Sequence, residues 1–128
     1  MSLKCPDCDQ GRLNIRLRIE LPGDAMSDEI SLWYVVCDSC AMRGLVQYEE
    51  SRRGALDSDS WHSYGHRLAP ADLDRAVVLI SRCPQPQRAQ CRCASHAALG
   101  KTDANGHWDG LRQNGMRPTG WFDLIDVD

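Results

Sequence analysis

The sequence predicts an α+β fold: a small antiparallel sheet, one main helix and a loop-rich C-terminal region. Three observations carry this. Residues 12–21 alternate apolar and polar, a nearly unbroken apolar run follows at 30–36, and the pairs Cys5/Cys8 and Cys37/Cys40 bracket the two segments. Leu73, Ala76, Val77 and Ile80 recur at the spacing of one helix face. Beyond Cys83 the chain is polar, with turns marked by Asn105-Gly106 and Asn114-Gly115.

Taken in order, the first strand turns Leu13, Ile15, Leu17, Ile19 and Leu21 one way and Arg12, Asn14, Arg16, Arg18 and Glu20 the other. It is expected to be half-buried, with a basic outer face. Pro22-Gly23-Asp24 ends it. The run 30–36 reads as a second strand, apolar enough for both of its faces to be covered, and 44–49 as a third. Residues 51–60 are polar and read as a loop or linker. Trp61-His62-Ser63-Tyr64-Gly65-His66 is dense in rings and donors and is expected to pack against or bind something. Pro70 suits a first helical turn, with Asp72 and Asp74 near the positive end, so the spacing predicts a helix over 70–82. Cys83-Pro84 stops it. A short helical turn is expected at 94–99, ending at Gly100. The apolar and acidic stretch 120–128 reads as a closing strand or a docking tail.

Two cysteines separated by two residues turn both sulfurs onto one ion, and a second pair completes a closed shell of four thiolates. Cys5, Cys8, Cys37 and Cys40 are therefore read as ligands of one metal. Zinc suits such a shell because it is tetrahedral and needs no redox partner. A single iron, as in rubredoxin-like electron carriers, is the alternative. Against it, Asp9 and Ala41 stand where such carriers place the glycine that lets backbone amides approach the sulfurs.

Knuckle, hairpin, knuckle and strand in succession resemble a zinc ribbon, and the resemblance covers the first 50 residues or so. It divides the chain into a ribbon over 1–50 and a helical, Cys/His-rich region over 51–128 that packs on it; a single compact unit is the other arrangement. Cys83, Cys91, Cys93 and His96 form a candidate second shell of three thiolates and one imidazole, with Cys83 reaching across from the helix end. An alternative set replaces Cys83 with His62 or His66, which share a face if 62–66 is helical.

Composition narrows the function classes. A formal charge of −3 argues against a surface that seeks nucleic acid or anionic membrane throughout. Seven cysteines cannot all pair as disulfides, no leader-like apolar run follows Met1, and no run is long enough to span a bilayer. A cytoplasmic protein with metal-held thiolates and no membrane contact is expected. The leading expectation is a non-catalytic zinc-binding adaptor or accessory protein that docks on a protein partner, with Trp121 and Phe122 as docking residues. The runner-up is a nucleic-acid-binding ribbon using Arg12, Arg16 and Arg18, although a solvated strand face explains the same arginines. A metal-dependent enzyme around His62 and His66 is the third reading. No H-E-x-x-H and no deaminase pattern supports it, and enzymatic activity is not expected.

Overall fold

The computed structural model describes residues 2–51 and 60–127. The body of the polar loop expected at 51–60, with Arg52 and Arg53, lies outside the described residues. The chain is α+β. Six strands run β1 (Leu3–Lys4), β2 (Arg12–Pro22), β3 (Glu29–Cys37), β4 (Arg43–Ser51), β5 (Ser60–Arg67) and β6 (Gly120–Phe122). Between β5 and β6 lie helix α1 (Pro70–Ser81), a short α2 (Ala94–Leu99) and a single 3-10 turn (Arg112–Asn114). The sheet is an antiparallel meander in sequence order, β1 to β6. After β6 the chain returns to β1: Lys4 N–H donates to Ile125 O at 2.9 Å and Val127 N–H to Ser2 O at 3.0 Å. The curled sheet thus meets its own first strand.

Both faces of β3 are buried, as its unbroken apolar run predicts. Ile30 and Leu32 join Ile19, Leu21 and Leu45 under Leu73, Ala76 and Ile80 of α1, with Leu99, Leu111 and Met116 closing this core. On the opposite face Trp33 and Val35 meet Leu3, Leu13, Val46 and Phe122 in a second core inside the curl. Phe122 fills that space because two strands leave room for it. A Cβ on Gly65 would stand within van der Waals overlap of the Phe122 ring, and one on Gly44 would lie 2.9 Å from it. Small residues here are a steric requirement.

The alternation in β2 does not put all five apolar residues on one face. Ile15 pairs with Val35 but Leu17 pairs with Tyr34, so Arg16 is the extra residue of a β-bulge. Leu13 therefore enters the inner core while Ile19 and Leu21 face the helix. Arg18, opposite Trp33, and Arg12, beyond the bulge, fall on different faces. The expected basic face made of Arg12, Arg16 and Arg18 is divided. A second difference lies at 60–67, which is a strand rather than the helix that would put His62 and His66 on one face; its polar, ring-rich composition conceals a period of two that leaves Gly65 facing Phe122. The sheet also runs without interruption across the 50/51 division, since β5 pairs with β4 over seven positions.

Candidate metal centres

The first cluster is built where the two ends of the β2–β3 hairpin meet. Cys5 follows β1, Cys37 ends β3, and Cys8 and Cys40 close the tight turns that follow each. The four sulfurs lie within 4.8 Å of one another. Cys5 Sγ is 3.7 Å from Cys40 Sγ, and Cys8 Sγ is 3.7 Å from Cys37 Sγ. A tetrahedron with metal–sulfur bonds of about 2.3 Å has edges of about 3.8 Å. These are metal-site separations, far beyond a disulfide's ~2.05 Å.

Backbone amides turn toward the sulfurs: Asp7 N–H donates to Cys5, Ser39 and Cys40 N–H to Cys37, and Met42 N–H to Cys40, all at 3.3–3.5 Å. Burial raises the Cys37 thiol, but the Ser39 and Cys40 amides outweigh it and bring Cys37 down to about 7. Cys40 is pushed up to about 12: the Met42 amide favours its thiolate, but burial and the three neighbouring sulfurs win. Four sulfurs this close cannot all ionise unaided, and a bound divalent cation would supply the missing positive charge.

Gly11 is a part that sequence reasoning missed. A Cβ there would sit on Cys37 Sγ and 2.9 Å from Cys8 Sγ. Expecting glycine directly after the knuckle hid one three residues on. The turn is tied down from outside by Arg67, whose guanidinium grips both oxygens of Asp7 at 2.7 and 3.2 Å and holds that carboxyl below its usual range.

The second cluster gathers Cys83 just past α1, Cys91 and Cys93 from the loop, and His96 from α2, again within 4.8 Å. Cys83 Sγ is 3.9 Å from Cys91 Sγ and 3.1 Å from His96 Nδ1; Cys93 Sγ is 3.3 Å from the same nitrogen. His96 Nε2 lies 2.8 Å from the carbonyl of Glu20 and donates to it. That leaves the Nδ1 lone pair directed among the sulfurs, the arrangement that orients metal-binding imidazoles generally. Burial pushes the Cys83 thiol up to about 11; on Cys93 the His96 amide and ring outweigh burial and bring it down to about 6. Cys83 belongs to the helix-side core, whereas Cys5 and Cys37 belong to the inner one. Each cluster seals a different hydrophobic interior.

His62 and His66 are not in the second shell. Both lie on β5, where His66 Nε2 stands 2.8 Å from Gln47 Oε1. His62 instead lines a cleft of about 390 Å³ with Glu49 and His107. Burial lowers the pKa of His66. The unfolded chain therefore takes up this proton first as pH falls below about 6.5. Stability is unaffected above that value and declines from there to the depressed folded-state pKa. In zinc-containing buffer, urea midpoints at about pH 7.5 and pH 5.5 should differ less for His66→Gln than for the wild type.

Of the two proposed docking residues, the structure presents one. Trp121 is 68% exposed, but Phe122 is 4% exposed and lies in the inner core. Among the other tryptophans, Trp33 is buried, Trp61 is exposed, and Trp108 donates its indole N–H to Leu99 O. No helix among the described residues is long and apolar enough to cross a membrane. No family model, curated protein or solved structure matches the chain.

Proposed function

We propose that the protein is a non-catalytic adaptor or accessory protein that carries two structural zinc ions and docks on a protein partner. The observation that carries this reading is closure. Each cluster offers four soft or borderline donors at tetrahedral spacing. Structural zinc sites are closed in this way, whereas catalytic ones keep a position for water or substrate. The thiolate-rich donor sets favour zinc over harder cations. Thiols that must stay reduced to hold it fit a cytoplasmic setting. Exposed Trp121, a large ring with a free-facing surface, is the docking residue that this reading retains.

Metal analysis tests it. Purified protein should hold two zinc ions per chain, and Cys91→Ser should hold one. The cobalt-substituted protein should show two tetrahedral, thiolate-rich centres by absorption. A water ligand at either centre, or iron at the first, would overturn the assignment. A partner retained by the zinc-loaded protein should be released by Trp121→Ala.

A further inference from the structure

Asn105-Gly106 and Asn114-Gly115 form two turns that are alike at the glycine. Gly106 and Gly115 have φ of +78° and +74°, the left-handed region that glycine enters without steric cost. Each glycine N–H donates to the carbonyl three residues back, Gly106 to Asp103 at 3.0 Å and Gly115 to Arg112 at 2.9 Å. Neither carries a Cβ, so the flank of each amide nitrogen is open to the asparagine side chain before it. The two glycines are matched; the two asparagines are not.

Asn114 is half-buried, and its carboxamide nitrogen donates to two carbonyls, Ala98 O at 2.7 Å and Gly110 O at 2.6 Å. Its own backbone carbonyl accepts from Arg75 at 2.6 Å. Turning its Cγ onto the Gly115 nitrogen breaks both carboxamide bonds and takes that donor from two carbonyls. Asn105 is exposed, and it is tied through its backbone, whose N–H donates to Asp103 Oδ1 at 2.8 Å. Among the described residues no hydrogen bond holds its carboxamide, which rotates between rotamers without breaking one.

We infer that Asn105 is a site of spontaneous deamidation, converted in the folded protein to aspartate and isoaspartate, and that the fold protects Asn114 from the same chemistry. The Gly106 nitrogen gives its proton to hydroxide and attacks Asn105 Cγ. A C–N bond forms, the Cγ–Nδ2 bond breaks, and ammonia leaves with a proton taken from water, closing a succinimide ring. Water then opens the ring at either carbonyl. Cleavage at Cγ gives aspartate; cleavage at the main-chain carbonyl gives isoaspartate, whose chain runs through Cγ. Nothing is oxidised or reduced, and water is the sole co-reactant. Both products add a negative charge. Isoaspartate also inserts a carbon between the N–H groups of residue 105 and His107, which Asp103 Oδ1 accepts together at 2.8 and 3.1 Å. Beside them Gly106 O accepts from Ala25 N–H at 3.0 Å and Asp24 Oδ2 from Trp108 N–H at 2.6 Å, fastening this turn to the one after β2. Isoaspartate loosens that fastening, whereas aspartate keeps it. The reaction needs neither metal nor partner and so goes beyond the adaptor reading.

The test ages the zinc-loaded full chain in mildly alkaline buffer at physiological temperature and follows its tryptic peptides by mass. Peptides 102–112 and 113–128 carry one asparagine–glycine pair each. The first should gain the mass of NH2 replaced by OH roughly tenfold or more faster than the second, because Asn114 is held out of attack geometry. In the chelated, urea-unfolded chain the two should react at similar rates. Asn105→Gln, which needs a larger ring, should lose the gain at unchanged zinc content. The chain carrying isoaspartate, purified by chromatography, should exchange its Ala25 amide hydrogen about tenfold faster than Asn105→Asp does. Equal rates at the two asparagines in the folded chain, faster reaction at Asn114, or no reaction at Asn105 would overturn the assignment. A rate ratio that persists in urea would overturn the role given to the fold, and equal exchange at Ala25 would overturn the loosening.

Discussion

Complete chelation should unfold the protein, with the far-ultraviolet circular dichroism of the sheet collapsing in step with zinc release and returning when zinc is restored. The reasoning is one of magnitudes. Structural zinc contributes apparent binding free energies of about 10–16 kcal/mol per site in small metal domains at neutral pH. A whole domain is stable by only about 5–15 kcal/mol. The clusters are not appended to an independent core: Cys5 and Cys37 are walls of the inner core, and Cys83 is a wall of the helix-side one. Losing the first ion leaves four crowded sulfurs against buried side chains, and losing the second frees the loop that caps Glu20. Cys37→Ser should approach the effect of full chelation. A native spectrum that survives removal of both ions would sink the structural role assigned to them.

The second large effect separates two neighbouring residues. Phe122→Ala should destabilise the zinc-loaded protein by about 3–5 kcal/mol, the usual cost of emptying a buried phenylalanine site. Gly44 and Gly65 flank the ring and have no side chains with which to refill the space. For a chain of this size that loss lowers the thermal midpoint by roughly 10 °C or more. Trp121→Ala, at a side chain that is 68% exposed, should change stability by no more than about 0.5 kcal/mol. Thermal melts of both variants at fixed zinc decide the matter. Similar midpoints for the two would mean that Phe122 does not fill the inner core as described.

Much of this architecture was legible because it depends on local signals. The apolar run 30–36, the helix signalled by Pro70 and Leu73, and the short helix ending at Gly100 all announce themselves within a few residues. That Cys5, Cys8, Cys37 and Cys40 gather in one cluster, and Cys83, Cys91, Cys93 and His96 in another able to hold a metal, was legible too, since cysteine spacing is a chemical constraint with few alternatives. What escaped depends on partners distant in sequence. β5 is polar because its outer residues face solvent and its inner position is Gly65, and only Phe122, far along the chain, explains that glycine. Phe122 looked like half of a docking pair because nothing nearby shows that β6 carries it inward. Gly11 was passed over for a similar reason, since its neighbour is Cys37 across the hairpin.

The division of β2 at Arg16 has a consequence for chain length rather than residue identity. Because Ile15 already faces Val35 and Leu17 already faces Tyr34, shortening the strand by that one residue would leave every flanking cross-strand partnership in place. A deletion anywhere else in 13–21 would instead throw part of one oily stripe to the wrong side and starve one interior to crowd the other. The arginine that interrupts the strand is thus where β2 itself can lose a residue and keep its register.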